Sequence, residues 1–152
     1  MNNLPIVRGH SGEHLTFSLG EEEYAVAILS VQEIRSFQQP TTIAGAPPHV
    51  LGVINLRGSI VPIIDLRVKI GRDSAITPQT VIIVLSVNTA TFGIVVDSVS
   101  DVVDVKAADI ADTPVAIPES VNFIAGIIKQ EKRLLMLVDM TRLAADVGVK
   151  HE

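Results

Sequence analysis

The chain has 152 residues, 47% of them hydrophobic and 19% charged, with a mean hydropathy of +0.42. That composition supplies core material for one ordinary domain and excludes disorder for the body of the chain. A net charge of −5 without a Lys/Arg cluster excludes the electrostatic footprint of a nucleic-acid binder, and the lack of cysteine excludes disulfides, thiolate metal sites and cysteine nucleophiles.

Residues 1–13 have no basic start, apolar stretch and cleavage site in succession, and read as a flexible N-terminus without a signal peptide. Valine and isoleucine then recur in short runs bounded by turn residues, the mark of strands. The runs cover residues 15–19, 24–27, 31–37, 52–56, 60–65, 81–87, 91–96, 99–105, 123–128 and 133–138. Gly20-Glu21-Glu22, Arg57-Gly58-Ser59, Asn88-Thr89-Ala90 and Gln130-Glu131-Lys132 read as the turns between them. One short helix is expected over 66–70, stopped by Gly71. Another is expected over 141–147, entered through Asp139 or Thr141 and closed by Gly148. No apolar run approaches the ~20 residues of a spanning helix, so direct membrane insertion is not expected. Ten closely spaced strands predict a mainly all-β fold of antiparallel sheets or small barrels, not a parallel βαβ array.

The two halves of the chain resemble each other. The stretch from Gly52 to Asp65 lies without a gap over the stretch from Gly126 to Asp139: glycine, apolar strand, polar turn, apolar strand, aspartate. Upstream, 15–19 and 24–28 match 83–87 and 92–96, and 31–34 match 99–102. Matching blocks in the same order argue for duplicated five-stranded units. Each is too small to stand alone, so the two should share a core and leave a groove between them. The expectation is a single domain over 14–148, made of two similar barrels packed side by side over about 14–79 and 80–148.

Catalysis has no visible residue set. His10, His14, His49 and His151 give no metal-ligand spacing beyond the His10/His14 pair that precedes the first strand, so no metal is expected. Asp65, Asp97 and Asp139 each end an apolar strand, as in duplicated aspartic proteases, but none opens an Asp-Thr/Ser-Gly turn. They read as caps of short helices or turns. The glycines form no phosphate cradle, and no cofactor is expected.

Gly20-Glu-Glu-Glu-Tyr24, Val31-Gln-Glu-Ile34, Gly52-Val-Ile-Asn-Leu-Arg-Gly58, Ile60-Val-Pro-Ile-Ile-Asp-Leu-Arg67 and Gly93-Ile-Val-Val-Asp-Ser-Val-Ser-Asp-Val102 together resemble the pattern of the CheW family, from about Leu15 to Leu143. The resemblance implies two five-stranded SH3-like barrels. It also implies a non-enzymatic cytoplasmic adaptor, recruited to membrane-associated arrays, that links the tips of chemoreceptors to the regulatory domain of the histidine kinase CheA. By the same resemblance Val31, Glu33, Gly52, Arg57, Val99 and Val102 correspond to receptor-contact positions, with Glu33 and Arg57 as a charged pair. No kinase contact is assigned. For each position a plainer role is open: core packing for the valines, an unusual dihedral for Gly52, a structural ion pair for Glu33 and Arg57. Two rival functions stand beside this one: an adaptor of a related kinase pathway such as pilus-based motility, and a barrel enzyme using Asp65, Asp97 or Asp139.

Overall fold

Four hairpins organise the chain in its computed structural model, which describes residues 11–113, 116–118 and 121–146. In each, apolar strands flank a two-residue turn whose first residue has a positive φ. Gly20 (65°) joins β1 (Gly12–Leu19) to β2 (Glu22–Ala27), and Arg57 (52°) joins β4 (Val50–Leu56) to β5 (Ser59–Asp65). Asn88 (55°) joins β6 (Val81–Val87) to β7 (Ala90–Val96), and Glu131 (46°) joins β10 (Ile124–Gln130) to β11 (Arg133–Val138). Left-handed residues in such turns match the right-handed twist of the strands. Three further strands are β3 (Val31–Ser36), β8 (Ser98–Val105) and the two-residue β9 (Ile110–Ala111). The helices are α1 (Leu66–Lys69), entered through the Asp65 carboxylate, and α2 (Met140–Asp146), where the Asp139 carboxylate accepts from the Arg142 N–H at 2.9 Å.

The strands form two sheets, ordered β3-β6-β7-β5-β4 and β8-β1-β2-β11-β10-β9. Strand for strand these orders are equivalent under the repeat: β3 answers to β8, β6 to β1, β7 to β2, β5 to β11 and β4 to β10. The mainly β class and the pair of barrels are as expected. The division at 79/80 is not. Each sheet takes strands from both repeats, because β3 pairs with β6, β8 with β1, β7 runs parallel to β5, and β2 runs parallel to β11. The barrels are therefore built by reciprocal exchange, one from β3 to β7 and the other from β1, β2 and β8 to β11. The second carries six strands where five were expected, because β9 adds to β10; two residues are too short to show a period in sequence. β1 begins at Gly12, inside the stretch expected to be flexible; residues 1–10 and 147–152, including the domain boundary at 148, lie outside the described residues.

Three apolar clusters follow from this exchange. Ile54, Leu56, Val61, Ile63, Ile82, Val84 and Val95 fill the β3–β7 barrel. Ala25, Val105, Ile128, Leu135 and Leu137 fill the other. The largest cluster, with Phe17, Ile64, Leu66, Ile83, Leu85, Phe92, Phe123 and Leu143, joins the two sheets. The repeat extends to single backbone bonds: Asp65 N donates to His49 O and Asp139 N to Phe123 O, both at 2.8 Å. Bulges interrupt β4 before Gly52 and β10 before Gly126, again at matching places. Among the described residues no helix is long and apolar enough to cross a membrane.

Candidate binding site

The β3–β7 sheet ends on β3 at one edge and β4 at the other. The segment between these strands folds back onto β4, where Thr41 and Val53 exchange two backbone hydrogen bonds of 2.9 Å. Side chains link β3 to the β4–β5 turn. The Arg57 guanidinium lies 2.6 Å from one Glu33 carboxylate oxygen, and Arg35 reaches the other at 3.3 Å. Arg35 also donates to the Gln38 side chain at 3.1 Å. The turn is held by the Asn55 side chain, which accepts from Gly58 N at 2.8 Å. The structure thus brings Glu33 and Arg57 together, as the resemblance implied, and adds Arg35 and Gln38.

Alternation along β3 puts Val31 and Glu33 on one face. The structure corrects this. A bulge falls between them, so Val31 pairs with Leu85 and Glu33 with Val84. Cross-strand partners share a face. Leu85 belongs to the cluster joining the sheets and Val84 to the barrel interior, so Val31 faces the shared core and Glu33 the barrel seam.

Val99 and Val102 occupy the matching places on β8, opposite Phe17 and Leu15 of the shared core. Val31 and Val99 are half-buried there, whereas Val102 is 48% exposed. Ile34, the repeat equivalent of Val102, pairs with core residue Ile83 and is 45% exposed. Val31 and Val99 pack against the shared core, and Ile34 and Val102 lie exposed on the edge strands β3 and β8. Leu29, in the 3-10 turn between β2 and β3, is 96% exposed. Ile34 was legible by aligning the repeats, but nothing local marks it or Leu29 as exposed. Gly52 contributes no side chain: it is buried at a φ of 143°, against the backbone of Thr41.

Hydrogen bonding from Arg57 holds the Glu33 carboxyl below its ordinary range, and Arg35 acts in the same direction. Arg133, aided by Thr16, does the same for Asp101, and the Lys106 N–H, aided by Gln130, for Asp109. A carboxyl depressed in the folded state favours folding above the pH where its unfolded form titrates, and loses that contribution as pH falls through its folded value. Stability to urea should therefore hold near neutrality and decline below about pH 4. Glu33→Gln should make that decline shallower; an unchanged slope would remove Glu33 from the set.

The three strand-ending aspartates are engaged in structure. Both Asp65 oxygens accept from the buried Arg67 guanidinium at 2.9 and 3.0 Å. Asp97 accepts from Arg67 and from Gly20 N, and Asp139 caps α2. Asp65 and Asp97 thus share one guanidinium and Asp139 serves a helix cap, the structural role expected of them. Among the described residues no group of three His, Asp or Glu side chains is placed to hold a metal.

A family model described as CheW-like domain matches residues 13–148. The chain is 46% identical over 133 residues to the chemotaxis protein CheW of Klebsiella aerogenes, spanning 86% of this chain and 80% of that protein. It is 35% identical over 127 residues to the chemotaxis protein CheW of Bacillus subtilis, spanning 82% and 81% respectively. Among solved structures, the scaffolding protein TtCheW from Thermoanaerobacter tengcongensis superposes with a TM-score of 0.78 at 29% identity, over 84% of this chain and 88% of that one.

Proposed function

Because the chain belongs to the CheW-like domain family, we propose that it is the non-enzymatic adaptor of a chemotaxis system, coupling the cytoplasmic tips of chemoreceptors to the histidine kinase CheA. Its place of work is the cytoplasm, at membrane-associated receptor arrays. The Glu33–Arg57 pair, which ties the edge strand β3 to the β4–β5 turn, carries this reading furthest. A receptor tip is a helical hairpin, and a helix docks by laying an apolar stripe into a groove with charges at its margin. Val31, Val99 and Val102, joined by Ile34, supply the stripe. Glu33 and Arg57 supply the margin and register, the role that peripheral charges play in specific interfaces. Gly52 supports the site through the backbone it lets Thr41 approach.

Arg57 sits in a left-handed turn, which separates its charge from its fold role. Asparagine tolerates that conformation and forms a favoured hairpin turn with Gly58, so Arg57→Asn should keep the native fold. Arg57→Glu reverses the charge beside Glu33. In calorimetric titrations with a receptor-tip hairpin, Arg57→Asn should weaken binding and Arg57→Glu more so, by on the order of tenfold. Titration with the kinase regulatory domain should change less for both. Unchanged receptor affinity in Arg57→Glu, with native circular dichroism, would leave the pair a structural clasp and move the receptor site elsewhere.

A further inference from the structure

We propose that the two repeats are separable partners, so that a second copy of this chain can supply either one and form a swapped two-chain assembly. Neither repeat closes a barrel by itself. The first supplies the hairpins β1–β2 and β4–β5 with β3; the second supplies β6–β7 and β10–β11 with β8 and β9. Four seams close the barrels, β3 on β6, β8 on β1, β5 along β7 and β2 along β11, and every one of them joins the first repeat to the second. The polar ties cross in the same sense. Thr16 donates to Asp101 at 2.6 Å, Gly20 N to Asp97 at 2.7 Å, and Arg133 to Glu23 at 3.2 Å.

Only the connector between α1 and β6 decides whether these partners come from one chain. Residues 71–79 of that connector are all exposed, and they carry no strand or helix. Its described ties stay within the connector or reach the first repeat: Gly71 N and Arg72 N donate to Val68 O and Arg67 O of α1, Arg67 donates to Ala75 O at 2.6 Å, Arg72 pairs with Glu22, and Thr77 and Thr80 bond each other. Every native seam survives if the connector runs to a neighbouring copy instead of back to its own, which is the condition for exchange of an element between protomers. Within one chain the second repeat is held at high effective concentration, so the single-chain form prevails in dilute solution.

The test uses the full chain with a single protease site inserted between Asp73 and Ser74, cut after folding. The pieces should stay together on size exclusion, one of each, with unchanged far-ultraviolet circular dichroism. Unfolded in urea and refolded with a tagged copy, they should exchange so that about half the complexes are mixed. The uncut protein, refolded at high concentration, should give a species of twice 16.3 kDa with the same spectrum, and in dilute solution the single chain. Pieces that separate, pieces that fail to exchange, or a mass of one chain at every refolding concentration would overturn the proposal.

Discussion

Arg67→Ala should destabilise the protein by about 3–5 kcal/mol, the range for removing one partner of a buried ion pair. The Arg67 side chain is fully buried, and its fork spends its donors on three elements. Nε and Nη2 meet the two oxygens of Asp65, which caps α1. Nη1 reaches Ala75 O in the connector at 2.6 Å and Asp97 Oδ1 at 3.2 Å. Asp97 in turn accepts from Gly20 N in the β1–β2 turn, so one guanidinium ties both repeats to the connector. Without it the Asp65 carboxylate, 3% exposed, is left charged and buried without its partner. Lysine presents a single point charge and cannot reproduce the fork, so Arg67→Lys should lose most of the same stability. Arg67→Met combined with Asp65→Asn should recover part of it, because both charges leave together. Urea unfolding midpoints measure all three; a loss below about 1 kcal/mol in Arg67→Ala would mean that solvent replaces the network.

Gly52→Ala should be the second severe substitution. A φ of 143° lies in a region that residues with a side chain enter only under strain, on the order of 1–3 kcal/mol. The added Cβ would stand 1.9 Å from Thr41 O and 2.6 Å from Thr41 C, both backbone atoms. Relief requires the bulge to straighten or the Thr41–Val53 bridge to open, and either exposes the edge of β4. Faster hydrogen exchange at the Thr41 and Val53 amides should report the opening directly. The repeat equivalent is a built-in comparison. At Gly126 the nearest backbone atom, Ala111 O, would be 2.8 Å away and no positive φ is involved, so Gly126→Ala should cost less. Receptor affinity should fall in Gly52→Ala together with the bridge, as a glycine that shapes the site and does not touch the ligand. Native exchange rates with lost affinity would instead make Gly52 a contact.

Strand positions were legible because short runs of valine and isoleucine, cut by turn residues, encode them locally. The repeat was legible for the same reason: Gly52 to Asp65 and Gly126 to Asp139 place the same residue classes in the same order. Which barrel each strand joins was not. The pairings of β3 with β6 and of β8 with β1 are tertiary choices that leave both local patterns unchanged, so nothing local shows that each barrel draws strands from both halves. The bulge between Val31 and Glu33 was equally hidden, and one extra residue sent the two side chains to opposite faces. Glu33 and Arg57 stand 24 residues apart, and only resemblance to the CheW family paired them. Arg67 follows Asp65-Leu66 at a helix start, a setting in which arginine ordinarily meets solvent; its burial comes from the later arrival of Ala75 and Asp97.

Coupling requires the receptor tip and the kinase to be held at once. The most direct measurement adds a receptor-tip hairpin to a preformed complex of this protein with the CheA regulatory domain, followed by analytical ultracentrifugation. A species containing all three components, one of each adaptor and kinase domain, is the predicted result. Displacement of the kinase domain by the hairpin, or binding of only one partner at any concentration, would contradict it.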